Sequence, residues 1–355
     1  MTGPEPAELP SDAGGGAARS AEMFQGIRRR RGGRHGGRRG GGEPTVVPEA
    51  EFRSYYGRPV LKAPVWEWKI AAYLFCGGLA AGSSVVAAGA DLTGRPALRR
   101  SSRLGSLGAL LASLYFLVSD LGRPERFHHM LRVLKPTSPM SVGTWILSAF
   151  GAGAGAAAVD ELVPRRWRRT WPARLLRRLA RPLGLSAAAT APGVASYTAV
   201  LLSHTAVPGW NEVRDELPFV FVGSAAASGG GFGMLCAPVA EAGPARAFAA
   251  VGAAGEIVAS RVMEHRLGLV GEVYREGHVA RLWHASEALT AAGLAGTLLV
   301  AHRSRVGAAA SGLALLAGSA LQRFGVFEAG VASTKDPKYV VVPQRERLDA
   351  RGSRP

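Results

Sequence analysis

The feature of this sequence that most constrains its fold is a set of long runs without charged residues. No Asp, Glu, Lys or Arg occurs in residues 70–90, 137–159, 182–211 or 217–240. Runs of about 20 residues match the thickness of a bilayer core, because a helix rises about 1.5 Å per residue. The sequence therefore predicts an all-α, polytopic helix bundle that crosses the cell membrane several times.

About eight membrane helices are predicted in the bundle. Gly, Ala and Ser are frequent within them, and Gly77, Gly78 and Gly82 in the first helix favour close helix packing. The sixth helix is interrupted by Glu256 and Arg261. The predicted ranges are about 68–90, 104–120, 142–161, 185–207, 217–239, 245–265, 283–301 and 306–324.

The two ends of the chain differ in composition from this bundle. Residues 1–51 are rich in Gly, Pro and Arg, and such a segment buries too little apolar surface to fold alone. We expect a disordered basic tail at residues 1–51, a transmembrane bundle at 52–328 and an extramembrane C-terminal tail at 329–355. The first residues lack the apolar region of a signal peptide, so we expect the first membrane helix to direct insertion.

The formal net charge of +17 would suggest a nucleic-acid partner if the chain were soluble. Here the arginines lie in loops and tails without an aromatic platform, which favours membrane lipid and argues against nucleic acid. Loops one, three, five and seven carry more Lys and Arg than the others, which predicts that they are cytoplasmic and that both termini are outside. The basic N-terminal tail favours the opposite orientation, and both remain open.

Cysteine and histidine spacing bears on redox cofactors. Cys76 and Cys236 are isolated within apolar runs, so the chain by itself is expected to hold no iron–sulfur cluster or metal. A haem-b membrane anchor is an alternative that needs paired axial ligands. His204 and His284 are the histidines predicted to lie deepest, and they do not form a clear pair.

Ionisable residues inside membrane spans are costly and rare, so they are candidates for function. Asp120, Glu256 and Glu287 are the proton-relay candidates. The structural alternatives are that Asp120 pairs with a nearby arginine and that Glu287 bonds to His284 on its own helix face. Glu256 is surrounded by apolar residues, so it needs a buried partner, a proton or a wet path.

Polar side chains near the helix ends also suggest a quinone pocket. Such a pocket needs apolar walls, donors for two carbonyl oxygens and a route for protons. Tyr73, Tyr197, His204 and Asp120 supply this set if the first, second and fourth helices meet. The alternative for each tyrosine is an interfacial anchor whose hydroxyl bonds to a neighbour.

The segment from Asp120 to Trp145 links the second and third helices and is stiffened by Pro124, Pro136 and Pro139. It is too charged to lie in lipid. It is interpreted either as a collar against lipid headgroups or as the docking surface of a partner protein. The basic residues that would bind the partner are Arg123, Arg126, Arg132 and Lys135.

Four blocks of this sequence resemble the polysulfide-reductase membrane-subunit family, of NrfD/PsrC type. The first is Trp66-Glu-Trp68 with the Gly77-Gly78 helix, and the second is Asp120-Leu-Gly-Arg-Pro-Glu-Arg-Phe with Lys135-Pro-Thr-Ser-Pro-Met-Ser-Val-Gly-Thr-Trp145. The third runs from Tyr197 to Pro-Gly-Trp-Asn211, and the fourth from Ser333 to Arg347. The resemblance covers roughly residues 52–347.

The resemblance implies a membrane subunit of an oxidoreductase complex that carries no haem or cluster and lies outside the catalytic core. It implies that the chain passes electrons between a quinone, either menaquinone or ubiquinone, and a ferredoxin-like iron–sulfur subunit. That subunit serves a molybdopterin catalytic subunit of polysulfide reductase or formate dehydrogenase type. By this resemblance Tyr73 matches a quinone-facing His or Tyr position on the first helix of the family, and Tyr197 matches a family Tyr on the fourth, while His204 falls where relatives often carry another polar residue.

Two further classes of function remain as alternatives. A secondary transporter or ion-translocating protein also uses intramembrane acids and Gly- or Pro-interrupted helices. No inverted repeat is evident between the two halves of the sequence, which argues against that class. The other is a purely structural anchor whose quinone site has degenerated.

Overall fold

The computed structural model describes residues 59–352 of the 355-residue chain. Within this range the backbone forms helices and loops and contains no strand, so the predicted all-α fold is confirmed. The predicted disordered tail, residues 1–51, lies outside the described residues. That tail and the domain boundaries drawn from the sequence therefore stay predictions.

Eight long helices occupy the eight predicted regions. They are α1 (Trp68–Leu92), α2 (Pro96–Ser119), α3 (Pro139–Leu162), α4 (Trp171–Ser203), α5 (Leu217–Cys236), α6 (Gly243–Arg266), α7 (Gly277–Leu299) and α8 (Arg305–Ser333). One-turn helices at Pro208–Asn211 and Glu272–Arg275 lie in the connections, together with a 3₁₀ helix at Pro124–Leu131.

Five of the described helices, α1 to α5, are long and apolar enough to cross a membrane. The other three are also long, at 24, 23 and 29 residues, but they do not reach the same apolar character. In α6 the reason is a series of charged side chains that includes Glu256 and Arg261. The presence of several membrane helices is confirmed, while the count of eight spans stays a prediction.

The helix ends follow local sequence signals. Proline occupies the first turn of α2, α3, α4, α5 and α6, where its missing N–H costs no helical hydrogen bond. Gly94 follows α1 at a φ of 68°, a conformation that suits glycine. The Arg95 N–H then bonds back to the Ala90 carbonyl at 2.8 Å, which closes the helix end and allows a tight turn into α2.

The helices pack as two groups of four, α1–α4 and α5–α8, with α1 and α5 at the centre. Both central helices are 72% buried over their most apolar stretch. Gly82 of α1 and Gly229 of α5 face each other, and a Cβ at Gly82 would lie only 2.9 Å from the Ala225 carbonyl carbon and 3.1 Å from the Gly229 Cα. The close packing predicted for Gly82 is confirmed, because only glycine lets the two backbones approach this far.

Successive long helices run antiparallel, so the loops gather at two ends of the bundle. We call the end formed by residues 120–138, 204–216 and 267–276 the Tyr73 end, because Tyr73 lies near the start of α1. The opposite end, called the Asp91 end, is formed by residues 93–95, 163–170, 237–242 and 300–304.

The chain divides into two compact units, of which residues Ala63–Ser333 form the bundle. The described part of the other unit includes α9 (Lys338–Gly352). The Asp336 carboxylate accepts a hydrogen bond from the Lys338 N–H at 2.9 Å near the start of this helix.

Candidate functional site

A pair of tyrosines marks the candidate site at the Tyr73 end. The hydroxyl groups of Tyr73 on α1 and Tyr197 on α4 are hydrogen-bonded to each other. Tyr73 is only 3% exposed, whereas Tyr197 is partly exposed and packs against an apolar cluster that includes Leu110 and Leu147. The sequence analysis required the helices that carry these tyrosines to meet. The bond between the two hydroxyl groups shows that α1 and α4 do meet.

The tyrosine pair is held by the helices on either side of it. Ser113 of α2 donates a hydrogen bond to the Tyr73 carbonyl at 3.2 Å, which fixes that part of α1 against α2. Gly143, in the first turns of α3, lies flat against the Tyr197 ring, and a Cβ there would overlap ring atoms. Part of the Asp120–Trp145 segment therefore shapes the wall of the tyrosine site.

Asp120 lies at the C-terminal end of α2, beside the start of α1. Its carboxylate accepts a hydrogen bond from the Glu67 N–H and is attracted to Lys69, while partial burial outweighs both and raises the pKa of Asp120. Lys69 precedes Tyr73 by four residues and so lies on the same face of α1. Asp120 thus lies close to Lys69, about one helical turn before Tyr73 on α1.

His204 lies apart from the tyrosine pair. It caps the C-terminal end of α4, is exposed, and its Nδ1 is bonded to the Val200 carbonyl at 3.0 Å. Seven residues separate it from Tyr197, about 10 Å along the helix axis. The structure therefore brings Tyr73 and Tyr197 together and leaves His204 at the rim.

The Pro-Gly-Trp-Asn block, residues 208–211, has a structural role that the sequence did not reveal. Trp210 is fully buried, stacks on Trp66 at 5.6 Å and donates a hydrogen bond to the Val326 carbonyl at 2.8 Å. Asn211 donates to the Ser203 carbonyl at 2.9 Å. The block thus ties the end of α4 to α8 at the Tyr73 end of the bundle.

The segment between α2 and α3 presents a mixed surface at the same end. The predicted docking residues Arg123, Arg126, Arg132 and Lys135 are all exposed. Large apolar side chains accompany them, with Val133 67% exposed and Leu134 57% exposed. Ser141 fixes the segment by donating to the Val133 carbonyl and accepting from the Lys135 N–H, both at 2.9 Å.

A second polar group lies in the middle of the α5–α8 half. Glu256 of α6 and Arg323 of α8 are 3% and 1% exposed. The Arg323 guanidinium donates to the Phe221 carbonyl at 2.7 Å and lies 3.5 Å above the Phe221 ring. Arg323 lies close enough to Glu256 for their charges to interact, without a direct ion pair. The sequence did not predict this, because it does not show which faces of distant helices meet.

Several atoms of this buried group have no hydrogen-bond partner among the described residues. They are Glu256 Oε2, Arg323 Nε and Nη1, Thr290 Oγ1 and both amide atoms of Gln322. Burying polar atoms without partners is costly, and lipid offers none. Glu256, Thr290 and Gln322 line one small cavity together with Glu287.

Glu287 connects this cavity with the Tyr73 end of the bundle. It also lines a larger cavity of about 310 Å³, whose other walls include Arg261, Glu264, Trp283 and His284. Arg261 forms ion pairs with Glu264 at 3.2 Å and with Glu287 at 3.4 Å. Glu256 and Glu287 therefore lie along one polar route, whereas Asp120 lies on the other half of the bundle.

The chemistry of the tyrosine site lies in its hydroxyl groups and its aliphatic surroundings. In the described part of the chain, no group of three or more His, Cys, Asp or Glu side chains is arranged to hold a metal ion. The tyrosine pair offers two hydroxyl groups beside aliphatic walls at the end of membrane helices, which matches the donors and apolar surface that a quinone ring needs.

These features define a membrane helix bundle with a polar site near one end. The family model described as Polysulphide reductase, NrfD, matches residues 60–247, which is more than half of the chain. The protein belongs to this family, as the sequence resemblance predicted, and is an integral membrane protein. Members of the family are membrane subunits of quinone-interacting oxidoreductase complexes. A comparison with curated proteins finds no match.

Proposed function

We propose that this chain is the quinone-reactive membrane subunit of an oxidoreductase complex. In this proposal it passes electrons between the quinone pool and a ferredoxin-like iron–sulfur subunit, which serves a molybdopterin catalytic subunit of polysulfide reductase or formate dehydrogenase type. The observation that carries the proposal is the hydrogen-bonded pair of Tyr73 and Tyr197 within the matched family region.

The tyrosine pair gives the chain a means of binding quinone oxygens. A quinol, on oxidation, releases two electrons and two protons, and a quinone takes up the same number on reduction. Tyr197 is the more exposed of the pair, so its hydroxyl would turn from Tyr73 toward a ligand, while Tyr73 stays buried on α1 and its backbone is held against α2 by Ser113. Asp120 would exchange protons with water, since it is partly exposed at the end of α2, close to Lys69 and the start of α1.

The segment between α2 and α3 supports docking of the iron–sulfur subunit at the Tyr73 end. It combines four exposed basic side chains with exposed apolar ones. Protein interfaces typically combine an apolar core with a polar rim, whereas lipid headgroups need only the charge. This composition favours the partner-docking interpretation over the lipid collar.

The buried polar group supports proton handling in the other half of the bundle. Water entering the cavity beside His284 would reach Glu287 first and then Glu256, since Glu287 lines both cavities. The same arrangement favours ion translocation as a second candidate function, either alone or coupled to electron transfer.

The proposal is tested by purifying the complex through a tag on this chain. We expect iron–sulfur and molybdopterin subunits to co-purify, and a short-chain quinol or its quinone to change the oxidation state of the cluster, followed by electron paramagnetic resonance. An optical spectrum of the isolated chain should lack haem bands. Isolation without redox partners, together with ion uptake into proteoliposomes, would support the transporter class instead.

A further inference from the structure

The N-terminal part of α4 is longer than membrane crossing requires. The helix has 33 residues, about 50 Å at the usual rise, against a bilayer core of about 30 Å. All of its arginines lie before Pro182, and the uncharged remainder carries Tyr197. Residues 171–181 therefore extend into the headgroup region at the Asp91 end.

This extension has three distinct faces. Ala173 and Ala180 are 8% and 2% exposed and pack against the bundle. Trp171, Leu175 and Leu179, spaced four residues apart, are 75%, 48% and 44% exposed and form an outward apolar stripe. Between these two faces lie Arg174, Arg177, Arg178 and Arg181, which share about 100° of the helix circumference at 3.6 residues per turn.

The arginine stripe joins an ion-pair cluster on the neighbouring helices. Asp91 of α1 contacts Arg181 at 3.4 Å, Arg103 at 3.6 Å and Arg99 at 3.3 Å. Glu161 of α3 contacts Arg99 at 2.9 Å and Arg103 at 3.2 Å. The two acids neutralise two of these three arginines, so the cluster keeps a positive charge.

Further positive charge is left facing outward beside this cluster. Arg177 and Arg178 are exposed and form no ion pair within the described residues. Arg174 donates to the Arg169 carbonyl at 2.7 and 2.9 Å, which ties the preceding loop to the stripe. The stripe is thus a preformed cationic surface with an apolar surface directly beside it.

We propose that residues 171–181 form a binding site for an anionic phospholipid. The phosphate of the headgroup would accept hydrogen bonds from Arg177 and Arg178, and an acyl chain would lie along Leu175 and Leu179. An amphipathic helix with basic and apolar faces is the usual means of holding such a lipid at a membrane surface. A lipid is favoured over a protein because the helix that carries these residues continues directly into its uncharged, membrane-spanning part.

The site is tested with the purified, delipidated complex in neutral detergent. Phosphatidylglycerol and phosphatidylcholine with identical acyl chains are titrated, and bound lipid is counted by native mass spectrometry. The test variant is Arg177→Gln/Arg178→Gln, and the matched control is Arg281→Gln/Arg303→Gln, which removes two exposed arginines elsewhere. Arg99, Arg103 and Arg181 are left intact because they neutralise buried acids.

We expect saturable binding of phosphatidylglycerol that is roughly 25-fold weaker in the test variant and unchanged in the control, since each arginine near an anionic headgroup contributes roughly a factor of five. Phosphatidylcholine should bind weakly to all three proteins. Equal phosphatidylglycerol binding by the test and control variants would overturn the proposal. It would also be overturned if a co-purifying protein that crosslinks to Leu175→Cys excluded the lipid.

Discussion

The hydroxyl of Tyr73 on α1 bonds to the hydroxyl of Tyr197 on α4, 124 residues further along the chain. The contact joins two helices of the same four-helix group at the end where the exposed α2–α3 segment lies. A buried hydroxyl requires a partner, and here each tyrosine supplies the other's. A ligand that replaces one member of this pair finds its polar partner already in position.

Gly143→Ala should disturb the site through the Tyr197 ring. The added methyl group overlaps ring atoms, and overpacking of this kind costs about 1–3 kcal/mol. We expect a lower unfolding temperature in detergent and slower quinone turnover. The matched control is Gly155→Ala on the same helix, where a Cβ meets nothing within 4 Å. Both variants gain the same helix propensity, so equal unfolding temperatures would contradict the contact.

Asp120→Asn should change the pH dependence of quinol oxidation. Burial raises the pKa of Asp120 above 3.8, so its carboxyl group becomes protonated at a higher pH than a free aspartate. Because only the ionised form accepts a proton, turnover in the unaltered protein should fall on acidification through this raised pKa. Turnover by the variant in steady-state assays should be slow and should not change with pH over that range. If the turnover of the variant still fell on acidification as it does in the unaltered protein, Asp120 would not lie on the proton route.

Glu256→Gln tests whether Glu256 carries protons or only stabilises the packing of its helix against its neighbours. The amide keeps the size of the side chain and removes its charge and its exchangeable acidic proton. We expect electron transfer to continue and proton movement across proteoliposomes, followed with a pH-sensitive dye, to drop about tenfold. Glu276→Gln, an exposed change at the start of α7, is the control. If proton movement were normal and the unfolding temperature were lowered, Glu256 would have a structural role in helix packing and no role in proton transfer.

Charge reversal at Arg126 and Arg132 should release the iron–sulfur partner. Like charges opposed across an interface are strongly unfavourable, and both arginines are exposed on the α2–α3 segment. We expect Arg126→Glu/Arg132→Glu to lose the partner during affinity purification. Arg165→Glu/Arg166→Glu, at the Asp91 end, should retain it. If both variants retained the iron–sulfur partner, the segment would instead be interpreted as a collar against lipid headgroups.

Much of the fold could be predicted because hydropathy marks helices that lie in lipid. The same signal misplaces helix ends outside lipid: α4 begins at Trp171 instead of near residue 185, and α2 at Pro96 instead of near 104. Arginine is a good helix former, so these helices continue through charged turns that hydropathy excludes.

The candidate site was only partly predictable for a different reason. The sequence named Tyr73 and Tyr197 as one candidate set only on the condition that their helices meet, and the structure supplies that contact. The burial of Arg323 beside Glu256 and the stacking of Trp66 on Trp210 depend on which helix faces meet. Linear spacing does not contain that information. His204 was expected near the pair, but α4 ends at this residue and its ring turns back to Val200.

The most direct test of the central claim compares Tyr197→Phe with Tyr115→Phe in the purified complex. Tyr115 is 69% exposed on α2, so its change removes a hydroxyl that lies away from the pair. Loss of one hydrogen bond to the quinone should lower kcat/KM for a soluble quinol about three- to tenfold in Tyr197→Phe. Tyr115→Phe should stay within about twofold of the unaltered complex. Unchanged quinone kinetics in Tyr197→Phe, with the complex intact, would contradict the assignment of the tyrosine pair.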